Sequence, residues 1–327
     1  MPKKPKVAIY WLGACAGCDE SIVDLNEAIL PLTEVIDIVL WPIAIDFKYE
    51  EIRSMQDREI ALCILSGSVR NSDHQEMAEL LRKKSQTVLA FGSCACFGGS
   101  PGLANFTTKE DIFNWVYRDA PTVVNPNGSY PQTKTDIDSK ILTLPEFFEN
   151  VFTLDEFIDV DYYLPGCPPP PDLISNAINS VLSGDLPPKG SALTPRKAIC
   201  DTCPRNKNKP THMDIKKYIR IHAVDADPDT CFLAQGIICL GPATRTGCGE
   251  SCIRVNVPCR GCFGPVPSVV GSGPKFLSTL TSLLLVEKDE DIEDAIDSID
   301  DPAGYLYRFT QPYSILGKRS HKIDMED

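Results

Sequence analysis

Fourteen cysteines in 327 residues constrain this chain more than any other feature. They stand at Cys15, Cys18, Cys63, Cys94, Cys96, Cys167, Cys200, Cys203, Cys231, Cys239, Cys248, Cys252, Cys259 and Cys262. So many thiols have three chemical explanations: a disulfide framework, zinc sites, or iron–sulfur clusters. Disulfide frameworks belong to small secreted domains that cannot build a sufficient core. At about 150 residues per domain, this chain has room for two domains and a sizeable interior. Secretion would also need a targeting segment. A basic start and an apolar run over residues 7–12 mimic one, and Leu12-Gly-Ala-Cys15 resembles a lipoprotein cleavage site. Six apolar residues are nevertheless at or below the lower edge for a signal core. The run reads better as a buried first strand, and the chain as cytoplasmic.

Zinc and iron–sulfur chemistry are harder to separate. C-x2-C pairs at Cys15/Cys18, Cys200/Cys203 and Cys259/Cys262 suit half a zinc site, a redox dithiol or an iron–sulfur ligand pair equally. The compact bacterial ferredoxin run is missing. Composition narrows the partners. A net charge of −13 argues against a general nucleic-acid binder, which needs a basic surface to displace counterions. The apolar stretch 276–286 is far short of the roughly 20 residues of a membrane span.

Chain organisation is more informative. Apolar runs at 6–12, 37–41, 60–65 and 87–91, and a weaker one at 158–164, read as strands. Between them, residues 19–30, 74–84 and 172–182 carry helical spacing, with Asp172 placed as a cap. Alternation of this kind predicts a doubly wound parallel sheet. Cys15 and Cys18, Cys94 and Cys96, and Cys167 each follow an expected strand, in loops rich in Gly or Pro. Ligand sites of open α/β sheets form beyond the strands' carboxyl ends, so these loops should converge. The glycine-rich stretch 92–99 matches no phosphate-binding fingerprint. The histidines His74, His212, His222 and His321 read as surface or packed residues, not as catalytic groups.

Pro187-Pro188 opens a linker, and the expected boundary separates a domain 1–186 from a domain 187–327. The latter spaces eight cysteines as C-x2-C-x27-C-x7-C-x8-C-x3-C-x6-C-x2-C, enough for two four-thiolate sites. Metal binding can replace a missing apolar core there, and two structural zincs would fit the same count. Residues 287–301 hold nine acids and one lysine, with Ile292, Ala295, Ile296 and Ile299 at helical spacing. They read as an amphipathic helix with a solvated acidic face. Residues 121–135 read as a long polar loop.

Taken together, Cys15-Ala-Gly-Cys18 with Asp19-Glu-Ser21, Gly92-Ser-Cys94-Ala with Gly98-Gly99, Pro165-Gly-Cys167-Pro-Pro, Cys239-Leu-Gly-Pro-Ala and Pro258-Cys-Arg-Gly-Cys-Phe-Gly-Pro265 resemble the small subunit of nickel–iron hydrogenases. The likeness runs over about residues 6–267 and is specific in combination. It implies a flavodoxin-like domain followed by a loop-rich cysteine domain carrying iron–sulfur clusters. Carried over by position, Cys15, Cys18, Cys94 and Cys167 would bind a proximal 4Fe–4S cluster. Cys248, Cys252, Cys259 and Cys262 would bind a medial one, and Cys200, Cys203, Cys231 and Cys239 a distal one. Many relatives have His-x2-Cys at the Cys200/Cys203 place and a proline near Cys252. The cysteines here imply three 4Fe–4S clusters, leaving Cys63 and Cys96 as spare thiols.

The resemblance further implies a non-catalytic electron-transfer subunit whose nickel–iron site lies on a separate large subunit. It is nearest to the cytoplasmic methyl-viologen-reducing, deazaflavin-non-reducing type of methanogenic archaea. In that type a ferredoxin-like two-iron subunit leads on to heterodisulfide reductase. In the deazaflavin-reducing relative an aspartate joins the proximal ligands; Asp46 sits in a comparable region but is not assigned. Three readings stand beside this one: the small subunit of that deazaflavin-reducing hydrogenase, a zinc-stabilised interaction protein, and a subunit of a quinone-reducing complex, whose first motif usually has adjacent cysteines.

Overall fold

The structure is a computed structural model and describes residues 4–267, 269, 271–286 and 289–317. Its strands are β1 (Lys6–Trp11), β2 (Asp37–Leu40), β3 (Ile60–Ser66), β4 (Val69–Asn71), β5 (Ser85–Phe91), β6 (Lys134–Ile137), β7 (Lys140–Thr143), β8 (Phe147–Phe152), β9 (Tyr162–Leu164) and β10 (Ser191–Ala192). Six of them form one parallel sheet in the order β10-β9-β5-β3-β1-β2. The chain winds outward from β1 in both directions, which is the flavodoxin-like order with its switch point between β1 and β3. The apolar run 7–12 is therefore largely the central strand β1.

Strand alternation sorts the sheet's side chains onto two cores. Ala8 and Tyr10 of β1 face one apolar layer with Leu65, Leu81 and Val88. Val7 and Ile9 face the other, with Ile22, Leu62, Phe91 and Ile178. Period-2 sorting with both faces covered is what a parallel sheet requires.

Several elements differ from the sequence expectation. The helix expected over 19–30 is broken into Gly17–Val23, a 3-10 turn Asn26–Ala28 and Ile29–Val35. Asn26 stands at φ +50°, a left-handed conformation that interrupts a right-handed helix. Asp172 does not cap its helix: Pro170 is the N-cap of Pro171–Ser183, and Asp172 sits inside the first turn. There its charge complements the helix dipole. The weak strand at 158–164 contracts to β9. The polar loop runs into the β6–β7 hairpin, whose turn residues Asp138 and Ser139 have φ of +51° and +64°, as a two-residue hairpin turn demands.

Beyond the sheet, the chain is built from short helices and 3-10 turns around a separate apolar cluster that includes Ile199, Phe232, Ile253, Phe276 and Leu280. Residues 276–282 lie in the helix Ser272–Ser282. Of the acidic segment, residues 287 and 288 lie outside the described residues, and Asp289–Asp297 is helical. Ala295 and Ile299 are buried, whereas Ile292 and Ile296 are exposed, so its apolar stripe is narrower than the spacing suggests. Among the described residues no helix is long and apolar enough to cross a membrane.

Candidate functional site

Three strand ends meet at the switch point. After β1, Gly13 pairs with Ser68 through two backbone bonds of 2.9 and 3.0 Å. Ala16, at φ +66°, then turns the chain into the helix Gly17–Val23, leaving Cys15 before it and Cys18 inside it. After β5, Gly92 at φ +81° opens the short helix Gly92–Phe97, which carries Cys94. After β9 comes Gly166, at φ +149°, and then Cys167.

These loops bring four thiols together. Cys18 feels the charges of Cys94, Cys167, Asp19 and Cys15. Cys94 in turn feels Cys167 and Cys15, and Cys167 feels Cys15. Burial first, and these neighbours second, push Cys94 up to about 12 and raise Cys18 and Cys167. Thiols so placed resist ionisation unless a cationic group joins them. The backbone leaves room against the sulfurs: a Cβ at Gly92 would lie 2.3 Å from Cys18 Sγ, and one at Gly99 2.4 Å from Cys94 Sγ.

Asp19 is a participant that sequence reasoning did not single out. It is buried beside Cys18 and accepts from Trp41 Nε1 at 3.2 Å and from Ser66 Oγ at 3.5 Å. Burial raises its pKa, although both hydrogen bonds pull the other way. The sequence signal for it is its place in the Cys18-Asp19-Glu-Ser21 motif, in the first turn of the helix Gly17–Val23. Asp46 is exposed and is not among the groups acting on these thiols. Cys63 is buried within β3, and Cys96, also buried, donates to the Ala90 carbonyl at 3.3 Å.

The second half assembles the other eight. Cys200, in the helix Ile199–Thr202, feels Cys239, Cys231 and Cys203. Cys239 feels Cys231 and Cys203. Burial drives Cys200 up to about 12 and Cys239 to about 11, the latter moderated by the N–H groups of Gly241 and Cys259. Gly241 again keeps space, its Cβ position lying 3.2 Å from Cys200 Sγ. Cys262 feels Cys248, Cys167 and Cys252, Cys248 feels Cys252, and Cys259 feels Cys239 first and then Cys262. Burial pushes Cys262 up to about 12 and raises Cys259 and Cys248.

Around them lie charges that spacing could not reveal. Buried Arg205 donates to the carbonyls of Asp227 and Thr230 at 2.8 and 2.9 Å and stacks 3.8 Å over Phe232, next to Cys231. Buried Glu250 accepts from Thr202 at 2.5 Å and Thr246 at 3.1 Å, tying the Cys200 and Cys248 loops together.

The groups of thiols are also linked to one another. Cys262 feels the charge of Cys167. Cys239 Sγ accepts from the backbone N–H of Cys259 at 3.4 Å. Charge coupling thus runs from Cys15, Cys18, Cys94 and Cys167 through Cys262 and Cys259 to Cys239, Cys200, Cys203 and Cys231. Among the described residues no three Cys, His, Asp or Glu side chains close round a single metal ion.

Residues 15–181 match the family described as NADH ubiquinone oxidoreductase, 20 Kd subunit. The F420-non-reducing hydrogenase iron-sulfur subunit of Archaeoglobus profundus is 39% identical over 322 residues, 97% of this chain and 99% of the relative. The corresponding F420-non-reducing hydrogenase subunit of Methanothermobacter thermautotrophicus is 35% identical over 326 residues, 98% of this chain and 99% of the relative. A chain of the [NiFeSe] hydrogenase of Desulfovibrio vulgaris Hildenborough superposes with a TM-score of 0.51 at 18% identity, covering 83% of this chain and 97% of that one. This last likeness concerns the fold alone. Over nearly its whole length, the chain belongs to the family of these F420-non-reducing hydrogenase subunits, within the broader family of the NADH ubiquinone oxidoreductase 20 kDa subunit.

Proposed function

We propose that this chain is the electron-transfer small subunit of a cytoplasmic nickel–iron hydrogenase of the F420-non-reducing type. Hydrogen is activated on a separate large subunit, and this chain carries the electrons away toward a ferredoxin-like two-iron subunit and heterodisulfide reductase. The observation that carries the reading is the gathering of twelve thiols whose charges act on one another from the strand ends through Cys262 and Cys259 to Cys239, with the Cys259 N–H on Cys239 Sγ.

The donor set fits three 4Fe–4S clusters. Soft thiolates suit iron and sulfide, and cationic iron would offset the charge of thiols that burial otherwise keeps protonated. Cys15, Cys18, Cys94 and Cys167 would hold the first cluster, Cys248, Cys252, Cys259 and Cys262 the second, and Cys200, Cys203, Cys231 and Cys239 the third. Such groups supply one-electron redox chemistry when bound. The chain's own part is positioning: Gly92, Gly99 and Gly241 let backbone lie against sulfur, and the Cys259 amide donates to Cys239 Sγ.

The two ends of this gathering differ in surface. Cys15 and Cys167 are exposed, a face suited to the large subunit. At the far end, residues 194–222 carry eight Lys and Arg against two Asp, a balance of +6 in a chain of −13. Arg196, Lys197, Lys207 and Lys209 there are exposed, which suits an acidic electron acceptor.

The test is purification with native partners followed by iron, sulfide, nickel and zinc analysis. About twelve irons with matching sulfide per chain are expected, at four per cluster. Zinc without sulfide would replace this reading by that of a zinc-stabilised interaction protein.

A further inference from the structure

Ser93 lies in the Gly92-Ser-Cys94 turn, is 1% exposed, and directs its hydrogen bonds to backbone carbonyls, away from any thiol. Its backbone N–H donates to the carbonyl of Gly166 at 2.7 Å. Its hydroxyl donates to the carbonyl of Cys262. Ser93 thus joins the end of β5 to the Gly166-Cys167 loop after β9 through its backbone, and to the 259–262 turn of the second half through its side chain. Across this junction Cys262 feels the charge of Cys167. A buried carbonyl needs a donor, and at Cys262 the sequence supplies one 169 residues away.

We propose that Ser93 is a positioning residue for electron passage: its hydroxyl, on the Cys262 carbonyl, fixes the separation between the loops of Cys94 and Cys167 and the turn of Cys262. This rests on the reading that these thiols hold the first and second 4Fe–4S clusters. Magnetic coupling between neighbouring paramagnetic clusters falls steeply with distance, so loosening the junction weakens it.

The experiment uses the purified hydrogenase complex carrying Ser93→Ala, with Ser93→Thr as the variant that keeps a hydroxyl. Ser93→Ala should retain its iron while the spin–spin splitting in the reduced complex shrinks. Ser93→Thr should restore it toward wild type. An unchanged splitting in iron-replete Ser93→Ala would overturn the proposal. Should Ser93→Ala lose iron, Ser93→Thr decides: wild-type iron and splitting are expected, and a splitting that shrinks with the hydroxyl kept overturns the proposal. Wild-type protein without iron would instead sink the cluster reading itself, which separates the two failures.

Discussion

The two halves of this molecule bring cysteines together by opposite means. In the sheet half, β1, β5 and β9 end at the same edge of one sheet because parallel pairing, through β3 between β1 and β5, puts them there. The apolar layers on either face are complete without any proposed ligand beyond partly buried Cys18 at their margin. In the second half Cys239 and Cys259 belong to the apolar cluster itself, and Cys203, Cys231 and Cys248 pack against it. Among the described residues after β10, strand-type pairing is limited to isolated bridges such as Ala198–Arg245 and Thr244–Pro265. A sheet can position ligands before anything binds. A loop-built core whose members are buried thiols depends on what those thiols hold, because binding energy becomes folding energy.

The largest expected effect tests that contrast directly. Stripping iron under reducing conditions should remove amide-exchange protection across residues 200–262, while β1, β3 and β5 stay protected. Hydrogen exchange read by mass spectrometry checks this region by region. Equal loss in both halves, or protection kept in both, breaks the distinction.

A smaller effect is local to the sheet half. Gly92→Ala would set a Cβ 2.3 Å from Cys18 Sγ at φ +81°. Both the contact and the conformation oppose it. The variant should lose about four irons, one cluster's worth, and keep the rest. Gly128→Ala is the control: φ is also positive, at +61°, but nothing lies within 4 Å. It should keep all its iron and lose only about 1 kcal/mol to backbone strain. Equal iron in the two variants would show that close approach to sulfur does not matter.

The contrast also explains how much could be read from the sequence. β1, β3 and β5 were legible because fully buried parallel strands are continuous apolar runs. Cys15, Cys94 and Cys167 were placed at one crevice because strand ends converge in such sheets whatever the side chains are. Asp161 was invisible as a structural centre, since its partners Arg82 and Lys189 come from distant segments. β4 and β8 were missed because Val69–Asn71 is three residues long and borrows its pairing from a strand far along the chain. In the second half neither periodicity nor length marks the turns. Cysteine spacing carried the reading there, and it could not foresee Arg205 over Phe232 or Glu250 between two threonines.

Asp161 provides the finest probe of the comparison, because it holds the sheet edge without any thiol. Its carboxylate is nearly buried and accepts from Arg82 at 2.6 Å, from Lys189, and from the Val88 N–H at 2.8 Å. Burial alone would raise its pKa, but the bonds from Lys189, Arg82 and Val88 outweigh it and hold the carboxyl below its usual range. A depressed carboxylate stabilises the fold above its unfolded pKa of about 3.9, and that stability is lost as pH falls through the lower folded value. Asp161→Asn should therefore cost about 2 kcal/mol near neutrality, the scale of a lost charge-assisted hydrogen bond. The exposed Lys189 limits the figure. Exchange rates of the β9 amides in wild type and variant measure this gap. It should stay constant from pH 7 down to about 5 and close only below about 4. If the sheet half stands without metal, the same gap appears in iron-free protein; a gap that vanishes when iron is removed would make the sheet as dependent on its ligands as the loops are.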